Sequence, residues 1–118
     1  MWPNKPLEFI ILLEDEKGLH FGLFCDGQLI SVISLFKKER SLQFRKFATA
    51  IEKQGLGYGT KLLEFTLGKA KELSADSVWC HARIEKTTFY KKFHMKTTGK
   101  PFSKNGKRYI VMEKIIKP

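Results

Sequence analysis

The feature that most constrains the fold of this 118-residue chain is a change in its hydrophobic period at Gly57. Before Gly57, short apolar runs alternate with polar turns, a pattern typical of strands. After it, apolar positions recur at helical spacing, which predicts an amphipathic helix with Tyr58, Leu62, Leu63, Thr66, Leu67, Ala70 and Leu73 on one face. The chain therefore combines a β-rich first half with a long helix near its middle.

Four strands are predicted before the period changes. They cover residues 7–13, 20–25, 28–36 and 42–48. The Asp26-Gly27 pair between the second and third strands is a type I′ hairpin signal, because both central residues of that turn need a positive φ. We therefore expect an antiparallel meander.

A strand at 77–82 and a short helix at 87–93 follow the long helix. Two final strands are predicted at 95–98 and 109–116, joined by a loop that contains Gly99, Pro101 and Asn105-Gly106. The order β-β-β-β-α-β-α-β-β predicts an α+β fold with a mixed sheet and one βαβ unit. Since no repeat or Pro/Gly/Ser-rich linker interrupts the chain, we expect one domain over residues 1–118.

The charge of the chain favours anionic partners. It has 22 Lys and Arg residues against 12 Asp and Glu, a formal net charge of +10, which attracts nucleic acid, acidic lipid or a phosphorylated small molecule. The lysines are scattered over turns and helix faces, and neither a helix-turn-helix nor an RNP-like pattern is present. A basic nucleic-acid-binding domain is therefore a less favoured alternative.

Cysteine, histidine and hydropathy patterns restrict the class further. Cys25 and Cys80 lie in apolar runs and lack metal-ligand spacing, so we expect buried, reduced thiols. His20 and His94 have no ligand-like companions, so no metal site is expected. The first residues carry no apolar leader and no run is long enough to span a bilayer. These patterns predict a cytoplasmic protein without membrane contact.

A glycine-rich loop precedes the long helix and is the strongest indication of a ligand. It reads Gln54-Gly55-Leu56-Gly57-Tyr58-Gly59-Thr60. Glycines allow close backbone approach, and the first N–H groups of a helix attract anions such as a pyrophosphate. A tight turn without a ligand is the alternative. The Walker A and dinucleotide fingerprints both fail, since Gly59 is followed by Thr60-Lys61 rather than by Lys-Ser/Thr or glycine.

Gln54, Gly57 and Gly59 match, position by position, the Gln/Arg-x-x-Gly-x-Gly/Ala loop of the GNAT superfamily of N-acetyltransferases. Downstream, residues 89–95 (Phe-Tyr-Lys-Lys-Phe-His-Met) resemble that family's Phe-Tyr-x-Lys-x-Gly-Phe motif. The resemblance extends from about residue 21 to residue 114. It implies a GNAT-like fold and an acetyl-CoA-dependent transfer of an acetyl group to an amine of a small molecule or a protein.

The resemblance also implies a cofactor site. In the family, acetyl-CoA binds where two neighbouring parallel strands separate, here 42–48 and 77–82. Backbone groups of Phe47, Ala48 and Thr49 would pair with the pantetheine amides. The pyrophosphate would lie on the loop residues Gln54, Gly55, Leu56, Gly57, Tyr58, Gly59 and Thr60. The second motif would add Phe89 and Lys92, for which packing and a solvated surface are the respective alternatives.

Two residues are candidates for catalysis. Tyr90 occupies the position of the family's thiol-facing tyrosine, so the resemblance implies a general acid, with a core aromatic as the alternative. His81, near the end of its strand, could accept a proton because an unperturbed imidazole has a pKa near 6.5; a structural histidine is the alternative. Cys80 cannot pair with His81, because neighbours on a strand point to opposite faces.

The chain departs from the family pattern in three ways. His94 replaces a glycine at a helix-ending position, Met95 replaces a phenylalanine, and only residues 14–19 lie where the family has two helices. Those helices usually wall the acceptor site. We therefore expect an open acceptor cleft, or a wall supplied by a partner subunit as in a homodimer. A non-catalytic acyl-CoA-binding or protein-interaction module is the alternative function.

Overall fold

The structure, a computed structural model, describes residues 7–14 and 18–116. Within these ranges no helix combines the length and hydrophobicity needed to cross a membrane. The helices and strands follow the predicted order, which confirms the α+β fold. Two short 3₁₀ turns, Ile51–Lys53 and Ile84–Lys86, lie between them. The helices and strands are β1 (Leu7–Glu14), β2 (Gly18–Cys25), β3 (Gln28–Lys38), β4 (Ser41–Thr49), α1 (Tyr58–Glu72), β5 (Ser77–Arg83), α2 (Thr87–Lys91), β6 (Lys96–Lys104) and β7 (Lys107–Ile115).

The strands form one mixed seven-stranded sheet in the order β1-β2-β3-β4-β5-β7-β6. Strands β1 to β4 are the predicted antiparallel meander. Asp26 and Gly27 adopt φ of 54° and 78°, which confirms the predicted turn. Strand β5 runs parallel to β4, so β4, α1 and β5 are the predicted βαβ unit.

The last two strands are longer than predicted. The expected loop over Gly99 and Pro101 is wrong, because β6 continues through both residues. Proline is tolerated there since β6 is an edge strand and its register shifts between Thr98 and Phe102. Only Asn105-Gly106 forms the turn, with φ of 52° and 76°.

Both helices pack on the same face of the sheet. Phe65 of α1 contacts Phe21 edge-on at 5.4 Å between ring centroids, and Tyr90 of α2 lies 5.8 Å from Phe44. The register of β2, β3 and β4 places Phe21 and Phe44 on one face. The hydrophobic core lies between this face and the helices, and we call the opposite face the open face.

No helix from the described residues covers the open face. Only residues 15–17 separate β1 from β2, which leaves no room for two helices and confirms that departure from the family pattern. Leu12 and Leu29 lie where a side chain on Gly22 would point, and they are 43% and 44% exposed. Apolar side chains of this face therefore meet solvent.

Candidate functional site

Strands β4 and β5 separate after a short paired segment. Pairing runs only from Ser41↔Ser77 to Gln43↔Trp79, although β4 continues for six more residues to Thr49. The register of β4 against β3 shifts near Lys46, whose φ is 56°. Such a bulge bends a strand and increases its local twist. The separation opens a cleft between the two parallel strands, as the resemblance implied for 42–48 and 77–82.

A cavity of about 870 Å³ occupies this cleft. Cys80 and Tyr90 line it on the helix-bearing face, while Arg45 and His81 line it on the open face. The cavity therefore connects the two faces between the strands. The remaining lining residues are Phe44, Lys46, Phe47, Ala48, Thr49, Lys53, Gln54, Gly55, Gly57, Gly59, Thr60, Arg83, Lys86, Phe89, Lys92 and Tyr109.

The glycine loop presents backbone donors at one end of this cavity. Gly55 and Gly57 have φ of 79° and 89°, a region that glycine occupies without steric cost. Gly57 is the N-cap of α1, no side chain from residues 7–14 or 18–116 caps the helix, and its first turn contains no acidic residue. The first intrahelical bond runs from the Lys61 N–H to the Gly57 carbonyl at 3.1 Å. The preceding N–H groups are therefore free of side-chain caps and suited to an anion.

The loop is held against the end of β4 by two close contacts. A Cβ on Gly59 would lie 3.3 Å from Thr49 Oγ1 and 3.5 Å from the ring of Phe47, so glycine allows α1 to approach the strand. The side-chain amide of Gln54 donates a hydrogen bond to the Thr49 carbonyl at 3.0 Å. Gln54 therefore positions the loop in addition to lining the cavity.

The backbone N–H and C=O groups at the end of β4 point alternately toward β3 and toward the cleft. The Ala50 N–H donates to the Ile30 carbonyl at 2.8 Å, and Ala48 pairs with β3 as well. Because backbone direction alternates along a strand, Phe47 and Thr49 face the cleft while Ala48 faces β3. A ligand that binds like an added strand could therefore hydrogen-bond to the backbone of Phe47 and Thr49. Ala48 lines the cavity, but its backbone groups are directed toward β3.

The cavity is strongly cationic. Six of its lining residues are Lys or Arg, and the described lining contains no carboxylate. Arg83 binds Glu85 at 2.7 Å through one guanidinium nitrogen, while its buried Nε has no partner among the described residues. Such an unpaired buried donor favours a polar ligand atom. Lys53 and Lys86 were missed as site residues, although Lys53 directly precedes the glycine motif.

Tyr90 and Cys80 lie together in the cavity wall. Burial, and secondarily the neighbouring Cys80, raises the pKa of the Tyr90 phenol above its ordinary value of 10. Burial raises the pKa of the Cys80 thiol to about 12, and only 2% of this residue is exposed. The phenol thus holds its proton at neutral pH, and the protonated thiol is a poor nucleophile.

The end of α2 fixes the backbone around Tyr90. His94 adopts a φ of 67°, its N–H donates to the Lys91 carbonyl at 3.0 Å, and the Met95 N–H donates to the Tyr90 carbonyl at 3.4 Å. This is the Schellman pattern, in which glycine is the usual residue at the His94 position. Lys114 adds a hydrogen bond from its Nζ to the Phe93 carbonyl at 3.1 Å. Histidine therefore does adopt the left-handed conformation here.

His81 lies on the open face, as the alternation with buried Cys80 predicts. Its ring contacts Trp79 and Phe102, with centroids at 5.6 Å and 5.1 Å. Partial desolvation, and then the charges of Lys104 and Arg45, lower the pKa of His81 below 6.5. The imidazole is therefore neutral at pH 7 and able to accept a proton.

Most of the predicted site residues converge on the cavity, but two do not. Leu56 and Tyr58 are absent from its lining. Leu56 is 56% exposed, and the buried Tyr58 hydroxyl lies 3.8 Å from the Cys25 sulfur. The buried Tyr58 can therefore offer a ligand only its backbone, while the exposed Leu56 side chain lies outside the described lining. Tyr109 was missed because its place in the wall depends on pairing of β7 with β5 opposite Arg83.

Comparisons with known proteins agree with this geometry. The model of the acetyltransferase (GNAT) domain family matches residues 6–116. The chain is 30% identical over 125 residues to the uncharacterized N-acetyltransferase YitI of Bacillus subtilis (strain 168), covering 98% of this chain and 84% of that protein.

Two solved structures show the same fold. A Bacillus subtilis acetyltransferase in complex with CoA has a TM-score of 0.79 and 16% identity, covering 93% of this chain and 99% of that one. A GNAT family acetyltransferase from Elizabethkingia anophelis with acetyl-CoA bound has a TM-score of 0.78 and 14% identity, covering 97% and 99%. At these identities the likeness concerns the fold alone.

Proposed function

Since the chain belongs to the acetyltransferase (GNAT) domain family and is an acyl-CoA-dependent N-acetyltransferase, we propose that it transfers an acetyl group from acetyl-CoA to a primary amine. The observation that carries this proposal is the cavity between β4 and β5, which joins an uncapped helix N-terminus to Tyr90. The similar Elizabethkingia anophelis structure has acetyl-CoA bound, which supports acetyl as the acyl group.

The residues of the cavity fit such a ligand. The first-turn N–H groups of α1 and the loop glycines Gly55 and Gly57 would hold the pyrophosphate, with Lys53 nearby in the wall. Phe47 and Thr49 would pair with the pantetheine amides. The Nε of Arg83, which has no partner in the described part of the chain, supports a polar ligand group at the other side of the cleft.

When bound, acetyl-CoA supplies a thioester whose carbonyl carbon an amine attacks and whose sulfur leaves as a thiolate. Tyr90 would donate its phenolic proton to that thiolate. Burial keeps the phenol protonated at neutral pH, so the acid is available throughout the physiological range. Cys80 stays protonated beside it and is not expected to form an acyl intermediate.

His81 would take the proton that the attacking amine loses. It lies on the open face at the cavity wall, opposite the helix that carries Tyr90. Its lowered pKa keeps the imidazole neutral, the form that a general base requires. The two proposed proton-transfer residues thus approach the cleft from opposite faces of the sheet.

Three further sequence predictions remain proposals. We retain one domain over residues 1–118 and a cytoplasmic location, and for the open face we retain both alternatives, an open acceptor cleft and a wall supplied by the partner subunit of a homodimer. The apolar exposure of Leu12 and Leu29 supports the homodimer, and sedimentation velocity would measure it. Limited proteolysis would test the single domain.

Two measurements test the proposed function. Calorimetric titration with acetyl-CoA should give a defined Kd, while a single-stranded oligonucleotide of matched phosphate number should bind weakly and lose affinity with salt. Thiol release from acetyl-CoA should then accelerate with a primary amine in a panel. Binding of acetyl-CoA without acceleration by any amine would favour the non-catalytic module, and preferential oligonucleotide binding would overturn both readings.

A further inference from the structure

The open face next to the cleft carries a strip of aromatic side chains bordered by cations. Within this strip, His81 contacts Trp79 and Phe102, and Phe102 stacks on Tyr109 with centroids 5.9 Å apart and an interplanar angle of 23°. We call Trp79, His81, Phe102 and Tyr109 the aromatic strip. It begins inside the cavity, since His81 and Tyr109 line it. An acceptor that reaches the cleft from the open face meets these rings.

The charges around the aromatic strip are predominantly positive. Arg45 lies in the cavity wall, and Arg45 and Lys104 both act on His81. Glu113 is opposite Trp79 in the β5–β7 register, and Lys96 is opposite Glu113 in the β6–β7 register. A lysine therefore occupies the strand position opposite this carboxylate. The local potential has the same sign as the net charge of the chain, and it disfavours a polycationic acceptor.

We propose that the acceptor is a small primary amine that carries both an aromatic ring and a carboxylate, as aromatic α-amino acids do. The ring would stack on the aromatic strip, in the offset or edge-on arrangements that aromatic pairs prefer. The carboxylate would bind the Arg45 guanidinium, whose paired N–H groups match its two oxygens. This inference rests on the proposed function, because it names the second substrate of the same site.

The decisive comparison is between phenylalanine and phenethylamine, which share the ring and the amine but differ in the carboxylate. For the wild type we expect a higher kcat/KM with phenylalanine. In Arg45→Gln the ratio of the two kcat/KM values should fall at least tenfold. The two amines differ in basicity, but this difference is the same in both proteins and cancels from the change in ratio.

A matched control and a binding measurement separate recognition from general charge. Arg40→Gln removes the same charge at an exposed site, paired with Asp76 at 3.9 Å and outside the cavity lining, and it should leave the ratio within twofold. Calorimetry on the CoA-saturated protein, which cannot turn over, should show weaker phenylalanine binding in Arg45→Gln only. Phe102→Leu keeps apolar surface and should lower the preference for phenylalanine over alanine.

Several results would overturn the inference. They are a preference for spermidine, an unchanged ratio in Arg45→Gln, or a better acceptor in a peptide whose first phenylalanine has its carboxylate in an amide bond. Each of these leaves the proposed function standing if acetyl-CoA binds and an amine is acetylated. Absence of acetyl-CoA binding in the wild type would instead overturn the proposed function, and this inference with it.

Discussion

The Gln54 side-chain amide donates a hydrogen bond to the Thr49 backbone carbonyl at 3.0 Å, and this bond joins the glycine loop to the end of β4. Thr49 ends β4 and Gln54 opens the glycine loop. Gln54 therefore sets the distance between the end of β4 and the N-terminus of α1, in addition to lining the cavity.

Replacing Gln54 with methionine keeps the length of the side chain and removes the donor. A typical hydrogen bond contributes about 0.5–1.5 kcal/mol, so the Kd for acetyl-CoA should rise about two- to twelvefold, with little change in Tm. Calorimetry measures the Kd, and Gln28→Met, at the distant β2–β3 hairpin, is the control. Equal affinities in the two variants would show that the hydrogen bond does not position the loop.

Substitution of Gly57 is predicted to weaken acetyl-CoA binding because it disturbs the backbone conformation, and not because the new side chain meets a neighbouring atom. Nothing described lies within 4 Å of a Cβ added there, while its φ is 89°. Gly57→Val should therefore weaken acetyl-CoA binding at least tenfold, because a β-branched residue avoids this conformation at a cost of about 1–2 kcal/mol and the loop would move. Gly57→Asn should bind more tightly than Gly57→Val, since asparagine tolerates the left-handed region.

Gly68 supplies the matched control for that substitution. It lies in α1, also with nothing within 4 Å of an added Cβ, but without a positive φ. Gly68→Val should retain the wild-type Kd. A folded Gly57→Val protein with the affinity of Gly57→Asn would contradict the backbone argument and remove the main support for the loop as a pyrophosphate site.

The sequence predicted the elements whose signals are local. The helical period after Gly57 and the Asp26-Gly27 turn each depend on a few neighbouring residues, and both are present. The strand character of Gly99 and Pro101 was missed, because their places follow from pairing of β6 with β7 at the sheet edge. Local composition there indicates a loop, and tertiary pairing overrides it.

The residues of the candidate site were likewise predictable only where they lie in short motifs along the chain. The glycine loop and Tyr90 lie in short motifs, and the structure brings both to the cavity. The role of Gln54 toward Thr49 and the contact of the Tyr58 hydroxyl with Cys25 depend on the distance between elements. The aromatic strip joins β5, β6 and β7. No spacing along the chain reports such a juxtaposition, since the strands are ordered by the sheet rather than by the sequence.

His94 is predicted to limit stability. It holds a φ of 67° at an exposed position, where glycine would avoid the Cβ clash. His94→Gly should raise the free energy of unfolding by up to about 1 kcal/mol, partly offset by the greater freedom of glycine in the unfolded chain. His94→Val should lower it by about 1–2 kcal/mol. Thermal and urea unfolding measure both changes, and a destabilised His94→Gly variant would mean that the imidazole makes a stabilising contact.

His81 should set the acidic limit of activity. Its pKa lies below 6.5, so the neutral base persists to lower pH than for an ordinary histidine. The rate should fall only as the pH drops below about 6.5. In His81→Gln, single-turnover acetyl transfer should be slower at pH 7, and the limb assigned to His81 should disappear. An unchanged pH profile in this variant would leave His81 as a structural residue and assign proton removal to solvent.

Tyr90→Phe separates an acid catalyst from a packing residue. The change keeps the ring against Phe44 and Phe89 and removes the only proton that the side chain can donate. The rate of single-turnover acetyl transfer should fall about 10²-fold, a typical loss for a general acid, while the Kd for acetyl-CoA and the Tm change little. Tyr58→Phe is the matched control, because its hydroxyl contacts Cys25 in the core, and it should retain the wild-type rate.

The pH dependence gives an independent criterion for Tyr90. Burial and Cys80 raise the pKa of Tyr90 above 10, so the phenol stays protonated up to at least that pH. The wild type should therefore show no basic limb from Tyr90 between about pH 6 and 10, and the deficit of Tyr90→Phe should be the same across that interval. A deficit that shrinks as the pH rises would indicate that the phenol ionises within the range, contrary to its burial. A variant that loses stability but keeps its rate would instead identify Tyr90 as a core aromatic, and the proton for the thiolate would then have to come from water.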